Sequence, residues 1–152
     1  MLSRRILRSG VAICVLAVSI LGFGSTANAA PSSFVSAAIH ANGAGKLAVE
    51  ATGNMVWGNR SVTLSSVKFY AAAGECGWFR VEGFQGGTLI DFKADFGERC
   101  GGTTGKWFTF DSFTLDGSNV SGGITLVQVD VFDKTHAGSG TVDCYRSAAL
   151  CL

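Results

Sequence analysis

Proline occurs once in the 152 residues, histidine twice, and charged side chains make up only 15% of the chain. A single proline excludes a polyproline or collagen-like chain. The 12 basic and 11 acidic residues nearly cancel, which removes the basic footprint that a nucleic-acid binder needs. Cys-x-x-Cys is absent and no Cys–His spacing matches a zinc site, so the sequence carries no redox or zinc motif. No stretch keeps a helical period, and no second apolar run of membrane-spanning length follows the first. What the chain has is 47% apolar residues, 21 glycines and five cysteines. That is too apolar and too weakly charged for disorder, and the length suits one domain.

The first residues read as an address. Arg4, Arg5 and Arg8 precede an apolar run from Val11 through Phe23, and Gly24-Ser25-Thr26 leads into Ala27-Asn28-Ala29. This is the three-part plan of a secretory signal peptide, cleaved after Ala29 or, alternatively, after Ala30. The run is short for a ~20-residue span and ends in small residues, which argues against an anchor. Ser3-Arg4-Arg5 hints at a twin-arginine signal, but the rest of that signal is poorly matched and the strongly apolar core favours the general route. Residues 1–29 are therefore expected to be a leader and 30–152 one secreted domain. Without the three arginines, nine basic residues face eleven acidic ones, a charge of about −2. About 123 residues remain, enough for one modest core.

Cys14 lies in the leader. Cys76, Cys100, Cys144 and Cys151 remain, and an even number in an exported chain reads as two disulfides. Three connectivities are open. Cys76 and Cys100 flank an expected hairpin over Trp78–Phe96, and Cys144 and Cys151 would pin the tail to the last strand. No metal and no cofactor is expected.

Gly, Ser, Thr and Asn recur about every ten residues between short runs rich in Val, Phe and Thr. This predicts an all-β fold, a small antiparallel β-sandwich of about seven or eight strands. Residues 30–45 read as a loose arm with one short strand over Phe34–Ile39. Lys46–Ala51 alternates, Asn54 and Gly58-Asn59 mark a turn region, and Ser61–Tyr70 is the next strand. The apolar phase of that strand slips at Ser65-Ser66, as a β-bulge would make it. Lys106–Leu115 changes phase near Asp111-Ser112, Gly123–Phe132 reads as a central strand, and Thr141–Arg146 returns beside it.

A meander is expected at the centre. Pairing Val67–Ala71 with Gly77–Glu82 sets Phe69 against Phe79 and Val67 against Val81 on one face. Thr88–Phe96 would follow through the turn Phe84-Gln85-Gly86-Gly87. It would set Val81 opposite Ile90, Arg80 opposite Asp91 and Trp78 opposite Lys93. The other face then carries Tyr70 beside Trp78, among Lys68, Arg80, Glu82, Asp91 and Lys93. An aromatic pair on a polar sheet face suits a sugar ring or a protein partner. Tyr70, Trp78, Arg80 and Lys93 are therefore the expected binding residues.

Other constellations are weaker. His136 as base, a neighbouring Asp as orienter and Ser139 as nucleophile would make a hydrolase, but Ala137-Gly138-Ser139-Gly140 is not a nucleophile elbow. Asp130 and Asp133 are too few for a dedicated calcium loop. Glu82 and Asp91 read as partners of Arg80 rather than as a glycosidase pair. Asn59-Arg60-Ser61 and Asn119-Val120-Ser121 fit the N-glycosylation pattern.

In architecture and composition, residues 30–152 resemble the small exported β-sandwich proteins of bacteria that carry one or two disulfides. No motif ties the chain to a named family, so no functional residue carries over. The expected function is that of a secreted, non-catalytic module binding a surface, a glycan or a protein. It would bind no nucleic acid and have no membrane anchor after cleavage. The rivals are the small hydrolase built on His136 and an inhibitor of an extracellular hydrolase presenting the loop Arg99–Gly105.

Overall fold

The computed structural model describes residues 29–39 and 45–152. The expected leader, apart from Ala29, and His40 lie outside the described residues. The described residues form ten strands and no helix. These are β1 (Ser33–Ile39), β2 (Leu47–Trp57), β3 (Val62–Ala71), β4 (Cys76–Gln85), β5 (Thr88–Lys93), β6 (Arg99–Cys100), β7 (Lys106–Thr109), β8 (Phe113–Leu115), β9 (Leu126–Asp133) and β10 (Ser139–Tyr145). The count exceeds the expected seven or eight for two reasons. The phase change near Asp111-Ser112 splits one expected strand into β7 and β8, and Arg99-Cys100 adds a short pairing to β4.

Two antiparallel sheets result. Sheet I runs β1-β2-β3, with β7 and β8 both paired to the free edge of β3. Sheet II runs β10-β9-β4, with β5 and β6 both paired to the free edge of β4. The period-2 alternation of each strand gives its sheet one apolar face. Val49, Ala51, Leu64, Val67 and Phe69 from sheet I and Phe79, Val81, Val127, Val129 and Val131 from sheet II are buried in one cluster. The Phe69 and Phe79 rings stack across it at 5.6 Å. Each of the Val, Leu and Phe side chains contributes roughly 1.5–3 kcal/mol by leaving water.

The expected meander needs two corrections. β3 and β4 are not a hairpin. They belong to different sheets, and residues 72–75 cross between them. Val67, Phe69, Phe79 and Val81 all point inward as alternation requires, but they meet through the core rather than side by side. Both edges of β3 and of β4 are taken by other strands, so neither has an edge left for the other.

The second correction is the β4–β5 register. Gly86 and Gly87 have φ of 54° and 87°, the two left-handed positions of a two-residue type I′ turn. Pairing therefore begins at once with Gln85↔Thr88, and a bulge at Ile90 shifts the rest to Gly83↔Asp91, Glu82↔Phe92 and Val81↔Lys93. The pairs Arg80–Asp91 and Trp78–Lys93 do not form. Phe92 faces outward and is 55% exposed, while Asp91 and Lys93 take the inner phase. An edge strand tolerates this, because charges at its rim reach water. Asp91 uses the position: its Oδ2 accepts the Asp116 backbone N–H at 2.8 Å, joining the rims of the two sheets. The Asp116 carboxylate in turn accepts the Ser118 backbone N–H and hydroxyl, which holds its pKa below the ordinary aspartate value.

Other expectations hold. β3 carries an extra residue opposite Gly53, with Ser66 at φ 52°, where the bulge belongs. Asn54 is the exception, since it sits within β2 and the chain turns at Gly58, whose N–H donates to the Ser61 carbonyl at 2.9 Å. The arm is tied down: the Trp57 indole N–H donates to the Pro31 carbonyl at 2.8 Å, and the Met55 N–H to that of Ser32.

The edges β1 and β10 approach closely, and a Cβ on Gly140 would overlap the Ala37 carbonyl. On the opposite side Phe79, Phe96 and Phe110 close the gap, with Phe79 and Phe96 stacked at 4.1 Å. Of the three open connectivities, the protein has Cys76–Cys100 and Cys144–Cys151. The first joins directly opposed residues of β4 and β6. The second holds the tail, where Leu152 and Asp143 exchange backbone hydrogen bonds.

Candidate functional site

The outer face of sheet II carries the most organised surface. Cross-strand register builds it in rows: Trp78–Phe132–Ser139, then Arg80–Asp130–Thr141, then Glu82–Gln128–Asp143. Trp78 and Phe132 stack at 5.2 Å, and Trp78 remains 36% exposed. The Arg80 guanidinium lies over the Phe132 ring at 5.4 Å. Its Nε donates to Asp130 Oδ2 at 2.9 Å and lies 3.5 Å from Glu82. The Thr141 hydroxyl donates to the other Asp130 oxygen at 2.6 Å, so Asp130 is held from both sides. In the next row Gln128 Nε2 donates to Asp143 at 2.8 Å. A fixed aromatic pair thus borders a fixed polar stripe. Beside the pair the β9–β10 loop rises, and Lys134, Ala137, Gly138 and Ser139 form the far wall of a concavity of about 300 Å³.

The four expected binding residues do not share this face. Trp78 and Arg80 do. Tyr70 lies on the outer face of sheet I, where it packs against Trp107 at 5.1 Å. Lys93 lies at the open rim between the sheets, beside Phe96 and Arg99 in a second concavity of about 320 Å³. The cause is the two corrections above, since a crossing between sheets sends Tyr70 and Trp78 outward in opposite directions. Sequence reasoning missed Phe132 as the partner of Trp78. Its signal was the outward phase of the strand leading to it, which the nearly continuous apolar run hid.

The residues of the rival catalytic readings are also divided. Asp130 and Asp143 face outward on sheet II, as does Ser139, in register with Phe132. Glu82 and Asp91 sit on opposite phases of their strands. Asp133, at the inner phase of the end of β9, and His136 meet Glu75 of the β3–β4 connection. His136 Nδ1 is 3.0 Å from Glu75 Oε2 and 3.5 Å from Asp133 Oδ2. Glu75 and Asp133 are both buried. Glu75 was missed because no local pattern links it to a loop about sixty residues away. The expected inhibitory loop is braced at its base by Cys76–Cys100 and by the Gly74 N–H donating to the Gly102 carbonyl at 2.7 Å.

Comparison of the chain with protein-family models, curated proteins and solved structures gives no match. Among the described residues no helix is long and apolar enough to cross a membrane. The functional reading therefore rests on the geometry of the faces just described.

Proposed function

We propose that the protein is a secreted, non-catalytic β-sandwich module that binds glycan through the outer face of sheet II. The observation that carries this reading is the exposed Trp78 ring stacked on Phe132 beside the polar row Arg80–Asp130–Thr141. A sugar presents an apolar ring face and a rim of hydroxyls. The indole suits the first, and the ordered donors and acceptors of the neighbouring row suit the second. Arg80 is already held by Asp130, so little side-chain entropy is lost when a ligand arrives. Two disulfides agree with an oxidising compartment, and the N-terminal pattern of residues 1–29 supplies the export route.

The test is a pull-down of residues 30–152 with polysaccharides and cell-wall preparations, run beside Trp78→Ala. Retention by a polysaccharide that disappears in the variant, with unchanged folding, supports the reading. Equal retention of both proteins, or of neither, overturns it.

A further inference from the structure

We propose that Glu75, Asp133 and His136 form a binding site for a divalent cation of the zinc type. This site shares the β9–β10 loop with the Trp78 concavity, which Asp133 also lines, but its argument does not rest on the glycan reading. The deciding side chain is Asp133, which is 2% exposed. Its Oδ1 accepts the backbone N–H groups of Thr135 and His136 at 2.9 and 3.3 Å. Those bonds fix the carboxylate and direct Oδ2 at the His136 ring, 3.5 Å from Nδ1. Oδ2 is fully enclosed and makes no hydrogen bond. Buried carboxylate oxygens without a hydrogen bond are rare, because buried charges are paired or bind metal. Glu75, 5% exposed, brings Oε2 to 3.0 Å from the same nitrogen. All three ligand atoms lie within 4.8 Å of one another.

The spacing fits the ion. Tetrahedral bonds of about 2.0–2.2 Å set ligand atoms about 3.3–3.6 Å apart. The two separations from Nδ1, 3.0 and 3.5 Å, are within a few tenths of that, and the two carboxylate oxygens lie within 4.8 Å of each other. Imidazole nitrogen and carboxylate oxygen are both donors that zinc accepts, and the described residues supply three of the four ligands of a tetrahedral site. Calcium calls for six to eight oxygens. Cys76, Glu98 and Cys100 also cluster, but both sulfurs are committed to the disulfide. A cation at Glu75, Asp133 and His136 ties the β9–β10 loop to the crossing between the two sheets.

The experiment titrates the oxidised protein, shown by alkylation to have no thiols, with Co²⁺ and then Zn²⁺. Visible absorption and thermal unfolding are the readouts. One Co²⁺ per chain, displaced by Zn²⁺, is expected, with a Tm rise of about 10 °C at about a hundred times Kd. Asp133→Asn keeps the Oδ1 acceptor and removes only the charge at Oδ2. It, Glu75→Gln and His136→Gln should each weaken binding more than about tenfold, the loss typical even of residues behind the ligands. Glu82→Gln, outside the cluster, should bind as the parent does. If Asp133→Asn does not fold, the other two variants decide. Absence of a Co²⁺ band together with a Tm unmoved by Zn²⁺ overturns the proposal. So does binding that is undiminished in the three variants.

Discussion

Trp78 and Phe79 are chain neighbours in opposite surroundings. Phe79 is fully buried, with Phe69, Phe96 and Phe110 around its ring. Phe79→Ala leaves a cavity in the middle of the core and should cost about 3–5 kcal/mol in urea unfolding. Trp78 has one stacked partner and is 36% exposed, so Trp78→Ala should cost less, about 1–3 kcal/mol, from the aromatic pair and the part of the ring that is buried. A Trp78 variant as unstable as the Phe79 variant would make the indole a structural residue and remove the proposed contact surface. The inward and outward sides of these two residues were readable from alternation alone. Their neighbours were not: Phe132, the ring that makes Trp78 part of a surface, comes from a strand about fifty positions away.

At the scale of elements, backbone conformation and close approach decide what each position tolerates. The β4–β5 turn places Gly86 at φ 54° with open space around it, which asparagine also occupies. Gly86→Asn creates the preferred Asn-Gly turn and should leave stability unchanged or raise it by up to about 1 kcal/mol. A loss above about 1 kcal/mol in thermal unfolding would refute the two-residue turn. Gly140 is constrained by space rather than by dihedral angle. Its missing side chain lets β10 approach the Ala37 carbonyl of β1. Gly140→Ala should force those edges apart and cost about 1–3 kcal/mol, against little effect at Gly86. The Gly-Gly pair was visible in the sequence, but a four-residue turn fits the same letters. A two-residue turn alone moves the partner of Val81 from Ile90 to Phe92, and the bulge at Ile90 moves it on to Lys93 and reverses the phase. That shift, with its bulge, is why Lys93 was expected beside Trp78 and lies instead at the rim.

At the scale of the whole molecule, the two disulfides act at opposite ends of sheet II. Cys76–Cys100 closes a separation of 24 residues and Cys144–Cys151 one of 7. By loop closure these should stabilise by about 3.5 and 2.5 kcal/mol respectively. Reduction should therefore lower Tm markedly. The Cys76→Ser/Cys100→Ser pair should lose more than the Cys144→Ser/Cys151→Ser pair in equilibrium unfolding. Two or more alkylatable thiols in the unreduced, denatured protein would contradict both bridges. The first bridge matters beyond stability, because it braces the crossing that carries Glu75.

Short alternating runs with turn residues between them are enough to specify strands, and the apolar phase of each run is enough to specify its buried side. That is local information, since side-chain direction follows from backbone geometry within one strand. It determined the all-β class, the bulge at Ser66, the break near Asp111-Ser112 and the inward set Val67, Phe69, Phe79 and Val81. Partnership between strands is not local. A four-residue connection with matched phases serves equally as a hairpin within one sheet or as a crossing between two. The choice depends on which other strands occupy the edges of β3 and β4. Residues far apart in the chain made that choice, and with it they separated Tyr70 from Trp78, paired Trp78 with Phe132, and brought Glu75 to Asp133 and His136.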